Sequence, residues 1–549
     1  MRLECAPLAA TWAAEHAFLK VDGLTRLWAR DATLWTNHGE DHWLGWLDLP
    51  ERAETEGWVP RLTALAEAVR AEGTEHVVVV GMGGSSLCPE VLATTFRRQP
   101  GWPELLVLDS THPDAIARLE ARIDAGKTIV VVQSKSGSTL EPNLLLARLL
   151  ERIPASQCIA VTDPGSSMET RARSLGFREV IHGMPSVGGR FSALSPFGLV
   201  PAALMGLDVG RLVAAAKAAA MACRAESGQN PGLALGLFLG ANALLGRDKL
   251  TLSCGPSVRR FGAWIEQLVA ESTGKDGRVI LPIEGEPLAA PDAYGEDRMF
   301  VRISVDGDDT SDVRRSLDAL EDTGAPVLRL VLRDAWELGG LFFVWEVATA
   351  VAGALLGVNP FDQPDVEASK LKTRTLTGAL QRGEPVDVDV PSFTSGELAV
   401  YGTAAGDLES ALRAHLGTLG AGDAAILLAY LPMTVEHELI LHRMQSLIRD
   451  RTRAAASVGF GPRFLHSTGQ AHKGGPNHGV FIVLTHTPAG DLPVPGEPFT
   501  FGQIALAQAL GDTAVLTERG RRVLRVHLTG EPGAALARLH GALAVALVG

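Results

Sequence analysis

Cysteine is scarce in this chain. There are five thiols in 549 residues (Cys5, Cys88, Cys158, Cys223 and Cys254), and none falls in a CxxC pair. An odd, sparse set excludes a disulfide scaffold and reads as the reduced thiols of a cytosolic protein. Positive charge is also short: 50 Lys and Arg against 63 Asp and Glu leave a formal charge of −13. That balance argues against a general nucleic-acid binder, and any anionic ligand then needs a local basic pocket. The first residues, MRLECAPLAATWAAEHAF, lack the basic flank and unbroken apolar stretch of a signal peptide. The run from Leu338 to Val358 is long enough to span a bilayer, but Glu346 interrupts it and NPFDQPD follows directly. A buried core helix is therefore expected, with a cytoplasmic location and no membrane or nucleic-acid partner. The P-loop pattern, HExxH and short-period repeats are all missing.

What is present points to an α/β protein. The length exceeds one core, and 46% hydrophobic residues exclude disorder. Residues 1–60 are rich in Trp and predict an N-terminal helical segment. From Arg61 to 208, HVVVVG, LLVLDS, TIVVVQ and CIAVTD alternate with helical stretches, the signature of a parallel sheet covered by helices on both faces. A second unit of similar architecture is expected over 209–383, with DKLTLSCG, MFVRISV and PVLRLVL as strands. The alternating EPVDVDVPS, Glu384–Ser392, predicts a linker. A third α/β portion, 393–549, carries AAILLAYLP, GVFIVLTH and RVLRVHLTG.

The loops after these strands hold the chemistry, because ligands bind at the carboxyl ends of strands in open α/β sheets. GMGGSS, Gly81–Ser86, fails the dinucleotide fingerprint at Ser86. It is either a tight turn or a close backbone approach to a ligand, with Ser85 as a donor. In SKSGST the hydroxyls of Ser134, Ser136, Ser138 and Thr139 precede a helix starting near Leu140. Hydroxyls at a helix N-terminus make a phosphate cradle, or else a redundant cap. GGRFS places Arg190 on a glycine-flanked loop, where it either stabilises developing negative charge or forms a surface ion pair. Glu271, in WIEQLVAESTGKDG, is a general base if desolvated and otherwise a solvated helix end. NPFDQPDVEASK offers Gln363 and Lys370 to a hydroxylated ligand. HSTGQAHKGGPNH holds His466, His472 and His478 at six-residue gaps, which suit acid–base work better than zinc.

Together, GMGGSSLCPE, SKSGSTLEP, GGRFS, AESTGKDG and NPFDQPDVEASK resemble the phosphoglucose isomerase family, in its order and spacing over residues 60–375. The chain also resembles the isomerase half of transaldolase–isomerase fusion proteins, though nothing in it resembles a transaldolase. The resemblance implies two sugar-isomerase (SIS) domains, a homodimer, a sugar-phosphate substrate, and neither metal nor organic cofactor. It implies that Gly84, Ser85, Ser134, Lys135, Ser136 and Thr139 bind the phosphate end, with Gly189 and Arg190 beside the reacting carbons. Glu271 would be the base, and Gln363 and Lys370 would contact the sugar. Glutamine at 363 favours glucose 6-phosphate over mannose 6-phosphate, because relatives accepting the latter tend to carry threonine. The departure is the ring-opening histidine: none follows Glu271 closely, and a block like the family's HSxGQ stands near His466 instead. The third portion is therefore expected to rebuild part of the second domain and return His466 to the site. The rivals are a non-catalytic SIS sensor and an isomerase of glucose and mannose 6-phosphates.

Overall fold

The computed structural model describes residues 1–5, 9–225, 230–384 and 389–548, with side chains for all of these save 9, 10, 12, 369 and 370. The expected linker Glu384–Ser392 lies in part outside the described residues.

The chain opens with a strand, β1 (Arg2–Cys5), ahead of the expected helices. The Met1 ammonium anchors it to Glu337 at 2.7 Å. The first sheet comprises β2 (His76–Val80), β3 (Glu104–Leu108), β4 (Thr128–Gln133), β5 (Cys158–Thr162) and β6 (Glu179–His182), all parallel in the order β3-β2-β4-β5-β6. The four valines of β2 are fully buried, as expected where helices cover both faces. The chain steps from β2 to β3 and then back past β2 to β4. The crevice between the carboxyl ends of β2 and β4 is thus the switch point at which such sheets bind ligands.

The second sheet repeats this plan with β7 (Lys249–Cys254), β8 (Leu281–Ile283), β9 (Arg298–Val305) and β10 (Val327–Leu332). Strand β7 lies between β8 and β9, and β1 closes the far edge antiparallel to β10. Between the two units run the helices Val209–Ala222, Pro231–Leu244 and Leu338–Leu356. The stretch Ala335–Leu356 is the one helix among the described residues long and apolar enough to cross a membrane. Of its most apolar window, 89% is buried inside the protein.

The C-terminal portion builds a sheet of its own. It comprises β11 (Phe393–Ser395), β12 (Leu398–Tyr401), β13 (Ala424–Tyr430), β14 (Ala455–Phe460), β15 (Gly479–His486) and β16 (Arg522–Leu528), in the order β11-β12-β16-β15-β13-β14. No described strand of it pairs with the second sheet. It meets the second unit through the helix Val435–Thr452, whose Gln445 Nε2 donates to the Glu284 carbonyl at 3.0 Å, and through Ala424 and Ala455, which pack with Leu281 and Ile283 of β8, and it sends a helix and a loop to the first unit. Phe501, Ile504 and Ala507 of the helix Phe501–Glu518 pack with Val78, Val80, Val130 and Val132 against one face of the first sheet. The loop after β14 enters the crevice described next.

Candidate active site

The loop after β2 opens the helix Gly84–Thr95. A Cβ on Gly84 would lie 1.9 Å from the Gly189 carbonyl oxygen, so glycine alone lets these two loops touch. The loop after β4 is built by its own serines. The buried Ser134 hydroxyl accepts from the Gly137 N–H at 3.1 Å. Lys135 pairs with Asp163 and donates to the Met184 carbonyl, tying the loop to its neighbours. Thr139 occupies the N-cap of the helix Leu140–Leu149, yet its side chain makes no cap bond. The redundant-cap alternative therefore fails at Thr139.

Arg190 is buried and almost fully engaged. Its Nε donates to Ser272 Oγ at 2.8 Å, Nη1 to Gln363 Oε1 at 2.9 Å, and Nη2 to the carbonyls of Pro360 and Asp362 at 2.7 and 2.9 Å. Nη1 also lies 3.3 Å from Glu271 Oε1. The surface ion-pair reading of Arg190 is thereby replaced by a fixed interior cation. Burial pulls its guanidinium below the ordinary value, and the charges of Glu271 and Asp362 oppose that pull. Glu271 stands on the helix Phe261–Thr273, one turn beyond Gln267. Gln267 Nε2 donates to Glu271 Oε2 at 3.1 Å and to the His466 carbonyl at 2.8 Å, so one amide links the carboxylate to the loop from the far end of the chain.

His466 ends a short 3-10 helix, Arg463–His466. Its Nε2 lies 3.0 Å from Glu141 Oε1, which also accepts from Gln508 Nε2 at 2.7 Å. Gly84, Ser85, Ser134, Lys135, Thr139, Gly189, Arg190, Glu271, Gln363 and His466 all line one cleft of about 230 Å³. Ser136 does not. Its exposed hydroxyl sits 2.8 Å from Ser138 Oγ and borders an adjoining cavity that shares Thr139 and His466 with the first. Lys370 lies on the helix Val366–Gln381, and its side chain is outside the described residues. His472 is packed between Phe464 and Phe481, where burial holds its imidazole well below the ordinary range. His478 precedes β15 at the amino end of the strand, and neither histidine lines the cleft.

Four residues of the site were not singled out from the sequence. Gln267 and Lys275 flank Glu271 in WIEQLVAESTGKDG, and Glu141 follows the serine loop directly, so each stood within a motif. Lys275 is buried, lies 2.8 Å from Asp362 Oδ1 and donates to the Asn359 carbonyl. Burial, with Arg190 nearby, brings its ammonium down to about 8. It braces the segment whose carbonyls hold Arg190. Gln133, at the end of β4, lines the cleft with both amide atoms buried and without a hydrogen-bond partner. Its only sequence signal is a polar residue closing a valine strand.

Two parallel sheets with matching switch points, one of them bearing a hydroxyl-rich loop at a helix N-terminus, define an α/β protein of the SIS class. A profile of the family described as Phosphoglucose isomerase matches residues 63–281. The chain is 33% identical over 376 residues to glucose-6-phosphate isomerase of Rubrobacter xylanophilus, covering 57% of this chain and 85% of that one. It is 30% identical over 421 residues to the Synechococcus sp. glucose-6-phosphate isomerase, covering 64% and 78%. A crystal structure of a hypothetical protein from Thermus thermophilus superposes with a TM-score of 0.59 at 28% identity, over 68% of this chain and 99% of the other. The chain belongs to the phosphoglucose isomerase family, and with it to the aldose–ketose isomerases.

Proposed function

We propose that the protein interconverts glucose 6-phosphate and fructose 6-phosphate. The observation that carries this reading is the cleft itself. Glu271, 3.3 Å from the Arg190 guanidinium, shares it with His466 and with the loop whose cap residue, Thr139, spends no bond on its helix. Ser85, Ser134 and Thr139, with the N–H groups opening the helix Leu140–Leu149, hold the phosphate. His466 opens the ring by passing a proton to the ring oxygen as the anomeric hydroxyl loses one. Glu271 then takes the proton from carbon 2 and returns it to carbon 1 through a cis-enediolate, whose charge Arg190 stabilises. The neighbouring carbonyl acidifies that proton, so the step calls on no metal or organic cofactor. Gln363 and Lys370 contact the sugar, as the family resemblance implies. The same resemblance supports a homodimer. The sparse, unpaired cysteines support a cytoplasmic enzyme, the acidic net charge one acting apart from nucleic acid, and the buried Glu346 in the long apolar helix one acting apart from membrane.

A coupled assay on glucose, mannose and glucosamine 6-phosphates tests this. Turnover is expected on glucose 6-phosphate, with mannose 6-phosphate much poorer. Tight binding of fructose 6-phosphate without turnover of any of the three would make the protein a sensor instead.

A further inference from the structure

Away from the cleft, a second cluster of side chains joins the first α/β unit to the C-terminal one. His112 caps the helix Pro113–Arg122, accepting from the Asp114 N–H at 3.3 Å. Its Nε2 lies 3.3 Å from Nδ1 of His486, the last residue of β15 and 374 positions away. The Asp114 carboxylate is 3.8 Å from His112 Nδ1. One ligand-type atom from each of the three lies within 4.8 Å of those of the other two. We propose that His112, Asp114 and His486 form a site for one divalent transition-metal ion of the zinc class, pinning the C-terminal portion to the first unit.

Two features support it. Two nitrogens bound to one tetrahedral zinc at about 2.0–2.1 Å stand about 3.3 Å apart, the length of a tetrahedron edge, and 3.3 Å is the separation found. The outer shell is in place as well. His486 Nε2 lies 3.2 Å from the Gly530 carbonyl, which fixes the tautomer and leaves the Nδ1 lone pair for a metal. In the metal-free state the pair is satisfied by a bond from His112 Nε2–H to His486 Nδ1. Loading the metal requires that the His112 proton move to Nδ1, which gives up the cap bond from the Asp114 N–H for one to an Asp114 carboxylate oxygen, so that Asp114 backs this imidazole from the outer shell. Small rotations of the two rings then bring both lone pairs onto one point, and water completes the shell.

The test uses the full chain, stripped with chelator and titrated with Co²⁺ or Zn²⁺ alone. One equivalent of Co²⁺ beyond that held by a His112→Ala/His486→Ala double variant is expected. It should come with the intensified visible absorption of low-coordinate cobalt, and Zn²⁺ should raise the melting temperature of the parent alone. Asp114→Asn keeps both imidazoles and a half-exposed position, so it serves if the double variant fails to fold. It should lose at least tenfold in Co²⁺ affinity, since outer-shell partners are worth 10- to 100-fold. Equal Co²⁺ on parent and double variant, or unchanged affinity in Asp114→Asn, overturns the site and leaves a hydrogen-bonded imidazole pair only.

Discussion

The His466 imidazole meets the Glu141 carboxylate at 3.0 Å across 325 residues of sequence. Gln508 bonds the same carboxylate oxygen at 2.7 Å, and Thr111 Oγ1 donates to Gln508 Oε1 at 2.7 Å. This chain of bonds holds the ring in a set position. His466→Ala should lose about 100-fold or more on cyclic glucose 6-phosphate, the usual weight of general acid–base catalysis, and far less on an acyclic analogue. Glu141→Gln should show the same preference for the acyclic substrate, more weakly. Equal losses on both substrates would point to a structural role for the pair.

Glu271→Gln preserves shape and the bond to Gln267 but removes the proton acceptor. Turnover should fall by at least 100-fold, while fructose 6-phosphate still binds within a few-fold of the parent. In the parent, solvent deuterium should enter carbon 2 of glucose 6-phosphate formed from fructose 6-phosphate. Near-parental exchange in the variant would remove Glu271 from the chemistry.

The serine loop divides into residues that face the cleft and two, Ser136 and Ser138, that border its neighbour. Thr139→Ala should raise KM for fructose 6-phosphate by about 10- to 100-fold, as expected for a charge-assisted bond worth about 1.5–3 kcal/mol. Ser136→Ala should do much less, because Ser136 bonds Ser138 at the adjoining cavity. Steady-state kinetics on the two variants decide the matter, and the reverse ranking would move the phosphate to the second cavity.

Gln133 poses a different question, because a buried amide without partners carries a desolvation cost. It lines the cleft with neither amide atom satisfied, and the expectation is that the ligand supplies the partner. Gln133→Leu, of similar volume, should leave the protein as stable or more so and weaken fructose 6-phosphate binding. A variant that melts earlier yet binds as well as the parent would show that the amide serves the fold.

Much of this was legible in the sequence, and the reason is local. GMGGSS, SKSGST and GGRFS are each contiguous, and loop chemistry can be read wherever a strand announces its end. The same holds for Glu271, fixed by its helix. Two kinds of feature were not legible that way. Strand β1 is set by pairing with β10, more than 300 residues later, and no periodicity in RLEC announces it. The anchoring of Arg190 depends on carbonyls at Pro360 and Asp362, backbone groups that every residue carries. His466 fell between these cases. Its motif was visible, but its neighbours Glu141 and Gln508 emerge only once the C-terminal portion lies across the first sheet.

The last prediction concerns pH and lies beneath the site. Glu266 stands on the same helix as Glu271 and borders a small cavity with Glu284, Arg260 and Arg463. Burial, reinforced by the charge of Glu284, pushes its carboxyl up to about 8, against the opposing pull of Arg463. The unfolded chain releases this proton near the ordinary 4.5, and the folded one holds it to about 8. Between these values the folded state binds more protons, so this group's contribution to stability is complete below 4.5 and drains away as pH rises to 8. Glu284 is raised in the same direction by burial. Glu266→Gln, which mimics the neutral acid, should therefore melt with the parent near pH 4.5 and increasingly above it up to pH 8, by several degrees. Melting curves of both proteins across that range isolate the effect, because every other titrating group is common to the two. A constant difference across the range, or a variant that melts lower at pH 8, would mean that Glu266 is ionised and paired in the folded protein.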